Sequence, residues 1–140
     1  MKTRHRARTY ALQILYELDI RGRLMDAEIE HTASTFKLEQ KVNDYCIFLV
    51  RGVVERLSEI DPIIERSSEN WSLERMPLVD RNILRLGVFE FMHEKDVPFK
   101  VVIDEAVELA KSFGSEDSGA FVNGILDQVA RVIQPEGKWI

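Results

Sequence analysis

The chain has a single cysteine, no glycine-rich phosphate loop, no long apolar run and no acidic residue before Glu17. Each absence narrows what the protein can be. Cys46 stands alone in the apolar run YCIFLV, so no internal disulfide can form and a cage of cysteine ligands is ruled out. Free cysteine is among the most buried residue types, and Cys46 reads as an inert core thiol in a protein of the reducing cytoplasm. No segment approaches the roughly 20 apolar residues of a membrane span, and the basic start lacks the apolar stretch of a signal peptide. Neither secretion nor membrane insertion is expected.

Catalytic chemistry finds no support either. His5, His31 and His93 lack metal-ligand spacing, and no nucleophile elbow is present. The run KVVIDEAVELAK resembles the acidic strand end of a nucleotide triphosphatase, but the GK[ST] loop such a site requires is missing. Asp104, Glu105 and Glu108 therefore read as a solvated helix face, with Lys100 and Asp104 an i,i+4 ion pair. No cofactor, no metal and no enzymatic activity are expected.

What is present is helix. With 140 residues, 45% hydrophobic and 31% charged, the chain reads as one globular domain over 1–140. Apolar residues recur at three and four, without strand alternation. Ala7, Ala11, Ile14, Leu15 and Leu18 define a helix over 3–20 that Gly22 ends. A second helix fits 26–36, capped by Asp26, with Ile29, Ala33 and Phe36 inward. A third fits 38–57, with Val42, Tyr45, Cys46, Leu49, Val53 and Leu57 inward. Asp61-Pro62 reads as the cap and first residue of a short fourth helix. The fifth, over 78–95, is apolar nearly all round and hence central. Val97-Pro98 opens a sixth that carries Val102, Ile103, Ala106, Ala110 and Phe113 inward and ends at Gly114. Ser118 caps a seventh with Val122, Ile125, Leu126, Val129 and Val132 inward, and Gln134-Pro135 ends order. Glycines 87 and 124 inside helices each cost about 1 kcal/mol against alanine, which predicts close approach of another helix.

Charge is unevenly spread. Residues 1–16 carry four Lys/Arg and no Asp/Glu, whereas the rest carries 15 against 24, for a net charge of −5. Lys2, Arg4, Arg6 and Arg8 lie on or beside the first turn of helix one, a pattern suited to an anionic partner; a disordered basic tail is the plainer account. Four cations on a single strand predict a log-log salt slope of roughly −3. Tyr16 falls outside the core stripe, on the flank of His5, Thr9 and Leu12. Two readings of it stay open: a ring stacking on unpaired bases, or one packed on the bundle with a wet hydroxyl.

Three stretches, RARTYALQILYELD (6–19), WSLERMPLVDRNILRLGVFE (71–90) and VPFKVVIDEAVELAKSFGSEDSGAFVNGILD (97–127), together resemble the NusB family of transcription antitermination factors. The resemblance implies an all-α, seven-helix fold of two small bundles packed together. It places an N-terminal three-helix subdomain at 1–58, a C-terminal four-helix subdomain at 59–134 and a tail at 135–140. It also implies a function: binding the single-stranded boxA RNA of nascent ribosomal RNA leaders together with NusE, a small-subunit ribosomal protein. The pair then joins other Nus factors on RNA polymerase.

Residue by residue, the family's arginine-rich first helix falls on Arg4, Arg6 and Arg8, with Lys2 adding charge, and its tyrosine on Tyr16. The turn into the last helix, its second RNA-facing element, falls on Asp117, Ser118 and Phe121. Phe121 either stacks on RNA or packs in the core. The acidic positions for NusE fall on Glu74 and Asp80, for which ion pairs with Arg75 or Arg81 are the plainer account. His5 and Ala120 stand where many members carry arginine and lysine, which lowers the expected affinity for RNA alone. The competing expectation is a protein-interaction module, or a homodimer, whose basic helix meets an acidic protein.

Overall fold

The structure, a computed structural model, describes residues 2–69 and 71–133, with Lys2 described in backbone only. The Lys2 side chain, Gln134-Pro135 and the tail at 135–140 thus lie outside the described residues. Seven α-helices run in order: α1 (Lys2–Ile20), α2 (Ile29–Ser34), α3 (Gln40–Glu55), α4 (Leu57–Ser67), α5 (Leu78–His93), α6 (Phe99–Phe113) and α7 (Ser118–Ile133). Short 3-10 turns at Asp26–Glu28 and Leu73–Arg75 precede α2 and α5, and no strand occurs among the described residues.

Helix α5 is the axis of the fold and packs on α1, α3, α4, α6 and α7. Asn82 to Phe91 are all buried, as its continuous apolar pattern predicts. The α1 stripe is buried in full, together with Leu12, which the helical wheel had placed on the exposed flank. Gly22 ends α1 at φ +67°, with its N–H on the Asp19 carbonyl at 3.0 Å and that of Arg23 on Leu18 at 2.7 Å.

Several expectations fail locally, each for a physical reason. The fourth helix begins at Leu57, not at Asp61-Pro62, because Ile60 and Ile64 form an apolar face that extends upstream. Asp61 does not cap; it accepts two hydrogen bonds from Arg85, at 2.9 and 3.0 Å. Pro62 sits on the exposed side of the second turn, where its missing N–H forfeits one bond to the Ser58 carbonyl. The chain breaks at Arg56, so the division expected at 58/59 falls in the first turn of α4. Asp26 likewise gives its carboxylate to Arg51 at 2.8 Å instead of capping. Phe36 lies beyond α2, half-buried against Tyr10, while Phe113 and Val132 are exposed.

Gly87 meets the close approach foreseen for it: a Cβ there would lie 2.9 Å from the Leu126 side chain, so α5 and α7 nearly touch. Gly124 does not, because a Cβ there would meet nothing within 4 Å. Gly52, not singled out from the sequence, matters more. A Cβ at that position would fall 2.2 Å from the Phe89 ring, so that ring comes close to the α3 backbone. Cys46 is fully buried, and burial pushes its thiol up to about 12.

Candidate nucleic-acid interface

The start of α1 is helical, and Arg4, His5, Arg6 and Arg8 are each engaged by a neighbour. The Arg4 guanidinium lies over the Tyr45 ring, 5.2 Å from its centre, and the Tyr45 hydroxyl donates to Glu94. Arg6 reaches Glu39 at 3.5 Å, both side chains well exposed. His5 Nδ1 meets Glu105 Oε1 at 2.9 Å. Arg4 and Arg6 are therefore presented at the surface on loose tethers, since exposed ion pairs and cation–ring contacts are worth about 0.2–1 kcal/mol each.

Arg8 departs from expectation. It is 5% exposed, and its Nε and Nη2 donate to the Glu90 carboxylate of α5 at 3.0 and 2.8 Å, with Nη1 3.4 Å from Glu105. Position 8 lies three residues before Ala11 and seven before Leu15, on the buried stripe rather than beside it. Arg8 fastens α1 to α5 and α6 and offers nothing to a phosphate. Burial lifts the Glu90 carboxyl above the ordinary carboxylate range against the pull of Arg8, and the same bonds keep Arg8 charged despite its own desolvation.

Farther along α1, Tyr16 is 37% exposed at the rim of a groove of about 440 Å³. Leu12 lines it, with Ile20, Phe36, Val79 and Phe113 around Tyr16. The tyrosine ring is thus neither swallowed by the core nor isolated from it.

The turn into α7 is built around Ser118, which is 1% exposed. Its hydroxyl accepts the Ser115 N–H at 2.9 Å and donates to Asp80 Oδ1 at 2.7 Å. Ser118 is therefore neither the cap expected of it nor an RNA-facing group; it positions the turn. Gly114 is extended at φ −96°, and a Cβ there would strike the Ser118 hydroxyl at 2.4 Å. Asp117 is exposed, and Phe121 is half-buried with its ring against Trp71, 5.9 Å between centres. Glu74 is exposed in the 3-10 turn before α5, but Asp80 is 4% exposed and faces Ser118. The acidic surface expected to include Asp80 loses it, and neither Arg75 nor Arg81 pairs with it. Burial raises the Asp80 carboxyl, and the Ser118 hydrogen bond offsets part of that rise.

With this geometry in place, comparison with known proteins gives a direct answer: the model of the NusB family matches residues 5–131. The chain belongs to the NusB family. The transcription antitermination protein NusB of Anaeromyxobacter dehalogenans is 50% identical over 133 residues, which cover 94% of this chain and 93% of that protein. A crystal form of T. maritima NusB is similar at a TM-score of 0.82 and 42% identity, over 91% of this chain and 90% of that one. A chain in the crystal structure of antitermination factors NusB and NusE in complex with dsRNA is similar at a TM-score of 0.84 and 33% identity. That match covers 94% of this chain and 98% of that chain.

For this NusB family chain the structure also exposes groups that sequence reasoning passed over. Asp19 gathers Arg81 at 2.8 and 2.9 Å, Asn82 at 2.9 Å and Arg85 at 3.0 Å, tying the end of α1 to α5. Burial pushes the Asp19 carboxyl upward, but the hydrogen bonds from Arg81 and Asn82 and the charge of Arg85 win and hold it below its ordinary value. Trp71 and Phe113, 46% and 41% exposed, are the other omissions. Trp71 had a visible signal, an aromatic in a turn, whereas Phe113 fits the α6 stripe and gave none. Among the described residues no group of three His, Cys, Asp or Glu can hold a metal, and no helix is long and apolar enough to cross a membrane.

Proposed function

We propose that this chain is a non-catalytic adaptor of transcription antitermination that binds single-stranded boxA RNA of nascent ribosomal RNA leaders together with NusE. In this reading the pair joins other Nus factors on RNA polymerase. The observation that carries it is the surface of α1: Arg4 and Arg6 at the first turn and an exposed Tyr16 farther along one ordered helix, on an otherwise acidic body. Arginine supplies phosphate attraction without sequence choice, and a tyrosine ring supplies stacking on an unpaired base. Asp117 and Phe121 extend the same role to the turn before α7, and exposed Glu74 receives the basic ribosomal protein. The similar pair of antitermination factors crystallised with RNA supports the assignment of partners by family likeness. Because His5 and Arg6 are tethered by Glu105 and Glu39, RNA must displace carboxylates, which favours a site completed jointly with NusE.

The test is RNA binding by the isolated protein, with and without NusE, at two salt concentrations, on single-stranded boxA RNA and on a duplex of the same sequence. The expected result is tighter binding of the single strand, strengthened by NusE and weakened by salt. Equal, salt-independent or absent binding in all arms would remove the RNA role. Light scattering of the free protein then decides for or against a homodimer that covers the basic helix.

A further inference from the structure

The loop between α4 and α5 holds an aromatic residue about half exposed to water. Trp71 is 46% exposed, and its ring rests against Phe121 of α7 at 74° between planes. Its backbone is pinned: the Ser68 hydroxyl donates to the Trp71 carbonyl at 2.7 Å, and the Leu73 N–H donates to the Glu65 carboxylate at 3.0 Å. Glu69 takes the left-handed conformation, φ +54°, that side chains other than glycine rarely adopt. Strained backbone holding an apolar ring in solvent is a pattern of binding sites, not of simple turns.

Beside this pair runs a groove of about 470 Å³, lined by Arg66, Ser67, Phe121, Gly124 and Gln128. Two further features of it point outward. Arg66 is exposed and has no ion pair among the described residues, whereas Arg6 and Arg8 are all matched by carboxylates. Gly124 is a mid-helix glycine whose presence no packing explains, unlike Gly52 under Phe89 and Gly87 under Leu126. It leaves a strip of helix surface bare enough for a flat group to approach.

We propose that Trp71, backed by Phe121, is a second base-stacking subsite for single-stranded RNA, with Arg66 as its phosphate partner. The inference rests on the RNA role proposed above and extends it from α1 and the α7 turn to the α4–α5 loop, with Phe121 common to both. A ring available to a base, one unpaired guanidinium, and the hydroxyl and amide of Ser67 and Gln128 match a nucleotide's base, phosphate and polar edges. Glu69 lines the same groove, so Arg66 brings little net charge and the ring carries most of the affinity.

The test uses full-length protein with Trp139→Phe, which leaves Trp71 as the only indole, titrated with single-stranded boxA RNA with and without NusE. RNA is expected to quench Trp71 emission. Trp71→Ala should weaken binding about 5- to 150-fold, as for loss of one stacked base, while Trp71→Phe keeps most of the affinity and the melting curve of each stays that of the parent. Arg66→Ala should reduce the salt slope by at most about 0.7, one phosphate's share on a single strand less what Glu69 offsets. RNA binding that leaves Trp71 emission and the Trp71→Ala affinity unchanged overturns the subsite and spares the RNA role. Trp71→Ala losing NusE but not RNA assigns the surface to protein and overturns it equally. No RNA binding in any arm defeats both.

Discussion

Replacing Arg8 by alanine strands the Glu90 carboxylate in the interior, and the consequence can be worked out from the geometry. The two side chains are 6% and 3% exposed and joined by short hydrogen bonds at 2.8 and 3.0 Å. Breaking a buried pair by removing one partner costs about 3–5 kcal/mol, because the remaining charge keeps its desolvation penalty. For a domain of this size 1 kcal/mol shifts the melting temperature by roughly 3 °C, so Arg8→Ala should melt about 9–15 °C lower. Glu90→Gln should also melt lower, since it strands the Arg8 guanidinium, although it keeps an acceptor and Glu105 stays 3.4 Å away. The double change Arg8→Met with Glu90→Leu should recover most of the loss, because apolar replacement of a buried pair is often neutral or better. Thermal melts of the four proteins at pH 7 make the comparison. An Arg8→Ala protein that melts within 2–3 °C of its parent, on the order of 1 kcal/mol, would show that Arg8 faces solvent and would return it to the RNA-binding set.

Other perturbations follow from the same packing. Gly52→Ala drives a methyl into the Phe89 ring and should cost about 1–3 kcal/mol by overpacking, whereas Gly124→Ala should raise stability by up to about 1 kcal/mol through helix propensity; denaturant melts compare them. Asp80→Asn keeps an acceptor for Ser118 and removes a buried charge, so at pH 7 it should melt no lower than the parent. Because the folded Asp80 pKa is raised, any advantage of asparagine should fade as the parent protonates in acid, which melts across pH 3–7 would show, a span of about 4 units around the carboxylate range. Asp19 has the opposite sign: its folded pKa is depressed, so its contribution is present above its unfolded value of about 3.9 and is lost as pH falls through the folded value. Asp19→Asn should therefore lower stability at neutral pH and flatten the acid limb of the stability curve.

The helices were legible because their apolar residues repeat at helical spacing, and α5 was recognisable as central because its pattern has no polar side. Boundaries failed where a local signal met a tertiary demand. Asp61-Pro62 has the chemistry of a helix start, yet Ile60 and Ile64 needed burial together and Arg85 claimed the carboxylate. In the candidate site the wheel put Tyr16 off the core stripe but could not decide its exposure, since Leu12 on the same flank is buried. Arg8 and Asp80 could not be placed, because charged residues read as surface unless their partners are known, and Glu90 and Ser118 lie 82 and 38 residues away. Trp71 carried no periodicity from which its exposure could be read, only the weaker signal of an aromatic in a turn.

The most direct measurement is the salt dependence of boxA RNA binding for Arg4→Ala with Arg6→Ala, with Tyr16→Ala beside it, all in the presence of NusE. The double variant should lose affinity at low salt with a log-log slope shallower by about 1.4, two phosphates on a single strand. Tyr16→Ala should lose about 1–3 kcal/mol with the slope unchanged, as stacking requires. Parental affinity and slope in both variants, with melts unaltered, would contradict the assignment of RNA to α1.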